Sequence, residues 1–187
     1  MIDKILPLVL EDDTKEKMSL LIEHRLPWLV VGLVGGMGLT LVASQFEHVL
    51  SQDIHVAFFI PVIVYMADAV GTQTGTVYVR NLQKKRTHFS IYLIKESILG
   101  LFLGLLFGSI IGLFAFLVFK SLDVALAVGT SMLVTMTFAP ALALIVPNLI
   151  KKEHQDPAIG SGPFTTVIQD FISLFTYFLI ASLILFH

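Results

Sequence analysis

Five long apolar runs, over residues 28–49, 56–79, 91–119, 124–150 and 163–186, leave this chain little freedom in how it folds. Each reaches the roughly 20 residues that a helix needs to cross the hydrocarbon core of a bilayer. The expected fold class is therefore all-α integral membrane, with five transmembrane helices and short connections. Composition agrees: 56% of the residues are hydrophobic and 14% charged, against about 25% charged in a soluble domain. With a net charge of −2 and basic residues scattered between the apolar runs, no nucleic-acid partner is expected. The chain has no cysteine, which excludes disulfides and thiolate metal sites.

Charge placement orients the helices. Ten of the twelve Lys and Arg residues lie before the first run, between the second and third, or between the fourth and fifth, Lys95 lies on the same side at the start of the third, and the opposite side carries only Lys120. The positive-inside rule then puts the N-terminus in the cytoplasm and the C-terminus outside, in a multi-pass protein of the cell membrane. Residues 1–10 lack the apolar length and cleavage site of a signal peptide, so the first run is expected to serve as an uncleaved anchor. Before it, Asp13 with Glu16 resembles a capping box for a short helix through Glu23. The expected domains are a cytosolic arm over 1–25 with that short helix, and a five-helix transmembrane unit over 26–187.

Small residues and prolines predict how the helices meet. Gly100, Gly104, Gly108 and Gly112 recur every fourth residue and line one narrow face, suited to close helix approach. Gly32 and Gly36 repeat the pattern in the first run. Pro61, Pro140 and Pro147 each remove an intrahelical hydrogen bond, which points to kinked helices whose freed carbonyls meet protein groups or water. Pro163 suits the first turn of the fifth helix.

Two acids lie inside the apolar runs, where an ionisable group is costly and usually faces an interior cavity. Asp68 sits near the middle of the second, sharing a helical face with Tyr65, Thr72 and Thr76, with Gln73 and Gly75 beside it. Asp170 sits in the fifth, in a stripe with Thr166, Ser173 and Tyr177, and the fourth adds Thr130, Ser131, Thr135 and Thr137. Carboxylates, hydroxyls and an amide form an all-oxygen donor set of the kind that hard cations prefer. Without an ion, each acid would instead be a protonated group bonded to a neighbouring helix. Glu47, Asp53 and Asp123 fall at outer ends, Glu96 near the inner end of the third helix. The six histidines map to ends or loops, which argues against a transition-metal site.

Four stretches resemble the membrane domain of the MgtE family of magnesium channels and the related eukaryotic solute carriers: Arg25-Leu26-Pro27-Trp28 with the glycines after it, Pro61 through Gly71-Thr72-Gln73 to Arg80, Lys95-Glu96, and Asp156-Pro157-Ala158 through Gly162-Pro163 to Asp170. The resemblance implies a homodimer with a pore on its two-fold axis, in which Asp170 of both subunits holds hydrated Mg²⁺, the transported ion. In the second helix the family pattern Gly-Gly-Asn-x-Gly-x-Gln is met by Ala67-Asp68-Ala69-Val70-Gly71-Thr72-Gln73, which keeps Gly71 and Gln73 but lacks the asparagine. Gly162 likewise replaces an asparagine, so other divalent cations come into question. Cytosolic magnesium-sensing domains of the family have no counterpart in these residues, and Met1-Ile2-Asp3 reads as a native start. Regulation is then expected through another route, with a separate regulatory partner as one candidate.

The expected function is a divalent cation channel or transporter and not an enzyme, with Asp170, Asp68, Thr166, Gly162, Gln73 and Thr72 as metal-site residues. Mg²⁺ dehydrates reluctantly, so Asp170 is expected to reach it through water, with Thr166 and carbonyls near Gly162 orienting the hydration shell. Two alternatives are an intramembrane aspartyl protease using Asp68 and Asp170, and a non-transporting membrane scaffold. Against the protease, Pro140-Ala141-Leu142 lies between the two aspartates instead of after both. The charge asymmetry predicts that a reporter fused after His187 will be found outside the cell; a cytoplasmic reporter would overturn the five-helix orientation.

Overall fold

The computed structural model describes residues 17–83, 88–152 and 157–186, with the backbone alone at 24, 82–83, 147, 149–152 and 157–163, and among these residues every regular element is a helix. In chain order they are α1 (Met18–Gln45), α2 (Glu47–Gln52), α3 (His55–Gln83), α4 (Phe89–Phe119), α5 (Leu122–Lys152) and α6 (Pro157–Leu185). All but the six-residue α2 are long and apolar enough to cross a membrane. The all-helical fold class with five spans is thus observed.

Several boundaries differ from those expected. The capping-box residues Asp13 and Glu16 lie outside the described residues, whereas 18–23 form no separate helix and run directly into α1, with Pro27 inside it. At the other end the first span stops early, because Phe46 leaves the helical conformation and its ring stacks on Phe178 at 4.8 Å and meets Phe175 edge-on at 6.1 Å. The chain restarts as α2 and turns into α3, where Asp53 Oδ1 accepts from the His55 N–H at 2.9 Å. Pro157, not Pro163, opens α6. Its missing N–H costs nothing at the first helical position, and Pro163 sits two turns inside.

α5 is the hub, packed against by α3, α4 and α6. α3 contributes a buried stripe of Val56, Phe59, Ile63, Ala67, Val70, Thr74 and Tyr78, and α6 contributes Gln169, Ser173, Leu174, Tyr177, Phe178 and Ala181. The three- and four-residue spacing keeps each stripe on one helical face. Across the top, Tyr177 donates to the Val56 carbonyl at 2.7 Å. α1 is peripheral, meeting chiefly α6, with its leucines and valines exposed as a lipid-facing helix requires.

Glycine and proline act together at the α4–α5 seam. The two helices form a hairpin joined only at Lys120 and Ser121; Lys120 takes the left-handed conformation (φ 55°), and Ser121 Oγ accepts from the Val124 N–H at 3.3 Å to cap α5. Along the seam a methyl added at Gly104 would fall 2.7 Å from the Leu133 carbonyl oxygen, and one at Gly108 2.6 Å from that of Gly129. Pro140 leaves the Met136 carbonyl without a helical donor, and that oxygen lies 2.5 Å from where Gly100 would carry a Cβ. Pro147 likewise frees the Ala143 carbonyl, which lies 3.5 Å from the Cβ position of Gly75 on α3. The freed carbonyls thus lie against glycines of neighbouring helices, where the lack of a side chain permits close approach. In α1, by contrast, a methyl added at Gly32, Gly36 or Gly38 would meet nothing within 4 Å among the described residues, and only one at Gly35 would run into α6, at Val167. The close packing expected at Gly32 and Gly36 is therefore not found among the described residues.

The contrast is measurable by thermal unfolding in detergent. Gly108→Ala is expected to destabilise the protein by about 1–3 kcal/mol through overpacking. Gly36→Ala, in open space, is expected to be neutral or to stabilise by up to about 1 kcal/mol.

Candidate functional site

Asp68 and Asp170 each stand one residue past a buried position, Ala67 on α3 and Gln169 on α6. One residue turns a helix by about 100°, so both carboxylates leave the packed seam and emerge where α3 and α6 part. There they line one cleft of about 420 Å³, whose other walls are Ile60, Pro61, Val64 and Tyr65 from α3, Thr166 and Leu174 from α6, and Leu39 from α1. Both acids are half-buried, and Tyr65 beside them is 68% exposed.

Two side-chain bonds tie α6 to α3 at this level. Thr166 Oγ1 donates to Asp68 Oδ1 at 3.2 Å, and Gln169 Nε2 donates to the Ala67 carbonyl. Gly71 makes room for the second, since a methyl there would run into the Gln169 amide. The cleft thus holds two carboxylates, the hydroxyls of Thr166 and Tyr65, and otherwise apolar walls. Two like charges among apolar walls repel unless a cation or a proton compensates them.

No cluster of three or more metal-ligating acids or imidazoles occurs among the described residues. Among the described residues the cleft's two carboxylates are too few for a closed coordination shell, and the set suits an ion that keeps its water. Mg²⁺ is that kind of ion, octahedral and usually held through one or two carboxylates with several waters retained.

Of the expected site residues the structure brings together Asp68, Asp170 and Thr166. Thr72 and Gln73 are exposed one turn further along α3 and do not line the cleft. Gly162 lies inside α6, so its carbonyl belongs to a helical ladder, and its surroundings are outside the described side chains. Ser173 is buried in the seam, and Tyr177 is engaged with Val56. On α5, Thr130, Thr135 and Thr137 donate to carbonyls four residues back in their own helix, which is how hydroxyls are commonly satisfied in lipid. His48 stacks on Phe186 while His55 bonds Asp53 at 2.7 Å, so the two imidazoles serve different partners.

Three features escaped the sequence reading. Gln169 is 1% exposed and crosses to α3. Thr74 donates to Glu96 Oε2 at 2.7 Å, joining α3 to α4, and Tyr78 reaches Asn148 Oδ1 at 3.4 Å. The signal for Gln169 was its four-residue spacing with Ser173 and Tyr177 on a face that proved to be buried.

A family model described as a divalent cation transporter, MgtE, matches residues 60–180, which include the cleft's residues on α3 and α6. Among curated proteins the chain is 34% identical over 162 residues to the magnesium transporter MgtE of Enterococcus faecalis, covering 85% of this chain. It is 31% identical to the protein of the same name from Bacillus subtilis and 28% identical to that of Thermus thermophilus, over 85% and 86% of this chain. The chain spans 36% of the length of each of these relatives.

Proposed function

The chain belongs to the MgtE family of divalent cation transporters, and on that premise we propose that it carries hydrated Mg²⁺ across the membrane past Asp68 and Asp170. The observation that supports this reading most is the meeting of the two intramembrane carboxylates in one cleft, with Thr166 bonded to Asp68. Asp170 matches the family's pore aspartate. Its charge, doubled by a second copy of the chain, compensates a divalent ion and holds it through its waters. Asp68, absent from the family pattern, adds negative field and tunes which cation is accepted. In this reading Asp68, Asp170 and Thr166 are the ion-facing residues, while Thr72 and Gln73 lie outside the cleft.

The site needs a second copy. Within one protomer the cleft is open beside the exposed Tyr65 and Pro61, and a charged group left facing lipid would cost several kcal/mol. Pairing two copies about a two-fold axis would turn both clefts inward and bring four carboxylates around one path. The N-terminus is proposed to be cytoplasmic, from the charge asymmetry. Membership in a transporter family argues against peptide hydrolysis by the two aspartates, so the protein is read as a transporter and not an enzyme.

Asp170→Asn keeps shape and hydrogen bonding but removes the charge. Mg²⁺ uptake into liposomes at equal folded protein is expected to fall about tenfold or more, since 1.4 kcal/mol of lost ion stabilisation is already a factor of ten. Near-normal flux would remove Asp170 from the path. Asp68→Asn is expected to give partial loss with altered preference among divalent cations. Mass measurement in mild detergent is expected to show a dimer, and a monomer alone would contradict the paired-cleft arrangement.

A further inference from the structure

We infer that Gln169 is a positioning residue for the ion path, setting the height of Asp68 against Asp170 through its bond to the backbone carbonyl of Ala67. The inference rests on the reading of the cleft as that path. Gln169 and Ala67 each directly precede one of the two aspartates in the chain. Thr166 and Gln169, three residues apart on one side of α6, hold two consecutive residues of α3: Asp68 through its carboxylate and Ala67 through its carbonyl. Sliding α6 along α3 by one residue, about 1.5 Å, would break both bonds and shift the two carboxylates relative to each other.

One further bond between these two helices, Tyr177 to the Val56 carbonyl, lies about two turns away; at the level of the aspartates the side-chain bonds among the described residues are those of Thr166 and Gln169. The α3 surface under Gln169 is Ala67 and Gly71, which offer no bulky side chain to interlock. At the α4–α5 seam, by contrast, glycines fit closely against backbone carbonyls along several turns. Stability is also a poor reason for an amide here. Interhelical hydrogen bonds in membranes add little on average, and Gln169 Oε1 is buried without a donor among the described residues, a cost that leucine or methionine would avoid. The amide is explained by what it aligns.

Purified Gln169→Leu in liposomes tests this, with Gln169→Met as the second variant should the first fail to fold. The melting temperature is expected to hold or rise, while the half-saturating Mg²⁺ concentration rises about tenfold, the scale typical of losing a group that orients a metal-binding side chain. Gly71→Ala, whose methyl displaces the amide from the other helix, is expected to give a shift of the same sign. In an Asp68→Asn background, Gln169→Leu is expected to add little, because the residue acts through Asp68. A lowered melting temperature with unchanged half-saturation would show the amide to be interhelical glue and overturn the inference. A full additional shift in the Asp68→Asn background would overturn it too, while leaving the cleft as the ion path. Normal transport by both Asp68→Asn and Asp170→Asn would instead remove the path itself, and the inference with it.

Discussion

Inside a bilayer a polar group without a partner finds no water, and the arrangement of this protein follows from how that demand is met around α5. Pro140 and Pro147 each leave a carbonyl without its helical donor, and each freed oxygen faces a glycine of a neighbouring helix, Gly100 on α4 or Gly75 on α3. Close approach therefore solves two problems with one contact. It buries the orphaned carbonyl, and it gives the dense dispersion packing that replaces the hydrophobic effect between helices in lipid. α4 and α3 are fastened to the hub in this way, and α6 packs on its third side while Gln169 and Tyr177 bond it to α3.

With that hub in place, the position of the two aspartates follows from helical geometry. Ala67 and Gln169 lie in the seam, so the next residue on each helix comes out at its edge. The residue before each acid is buried in the seam while the carboxylates themselves face an open cleft that α1 borders with Leu39. A buried backbone thus supports an accessible charge, the combination that the proposed ion path calls for.

Much of the architecture was legible in the sequence. Apolar length marked five spans, four-residue glycine spacing marked the α4 face that meets α5, and the cost of intramembrane charge singled out Asp68 and Asp170. Other signals misled for physical reasons. The glycines of α1 share the spacing of those in α4, yet Gly32 and Gly36 meet nothing among the described residues, because spacing defines a face without supplying a partner for it. Thr72 falls on the expected face of Asp68, but a turn further on that face has left the cleft. The end of the first span was lost to Phe46, whose stacking on Phe178 depends on a helix more than a hundred residues away.

By itself the sequence determined the membrane as solvent, the number of spans, and the carboxylates that had to be accounted for, since these depend on length, polarity and spacing within a single helix. The tertiary structure alone decided that Asp68 and Asp170 share a cleft, that Thr166 serves Asp68 and not its own neighbour Asp170, and that Gln169 bridges to Ala67. Those are relations between α3 and α6, about a hundred residues apart in the chain. Helical periodicity says which way a side chain points around its own axis, but the rotation and height of one helix against another are set only when their surfaces pack.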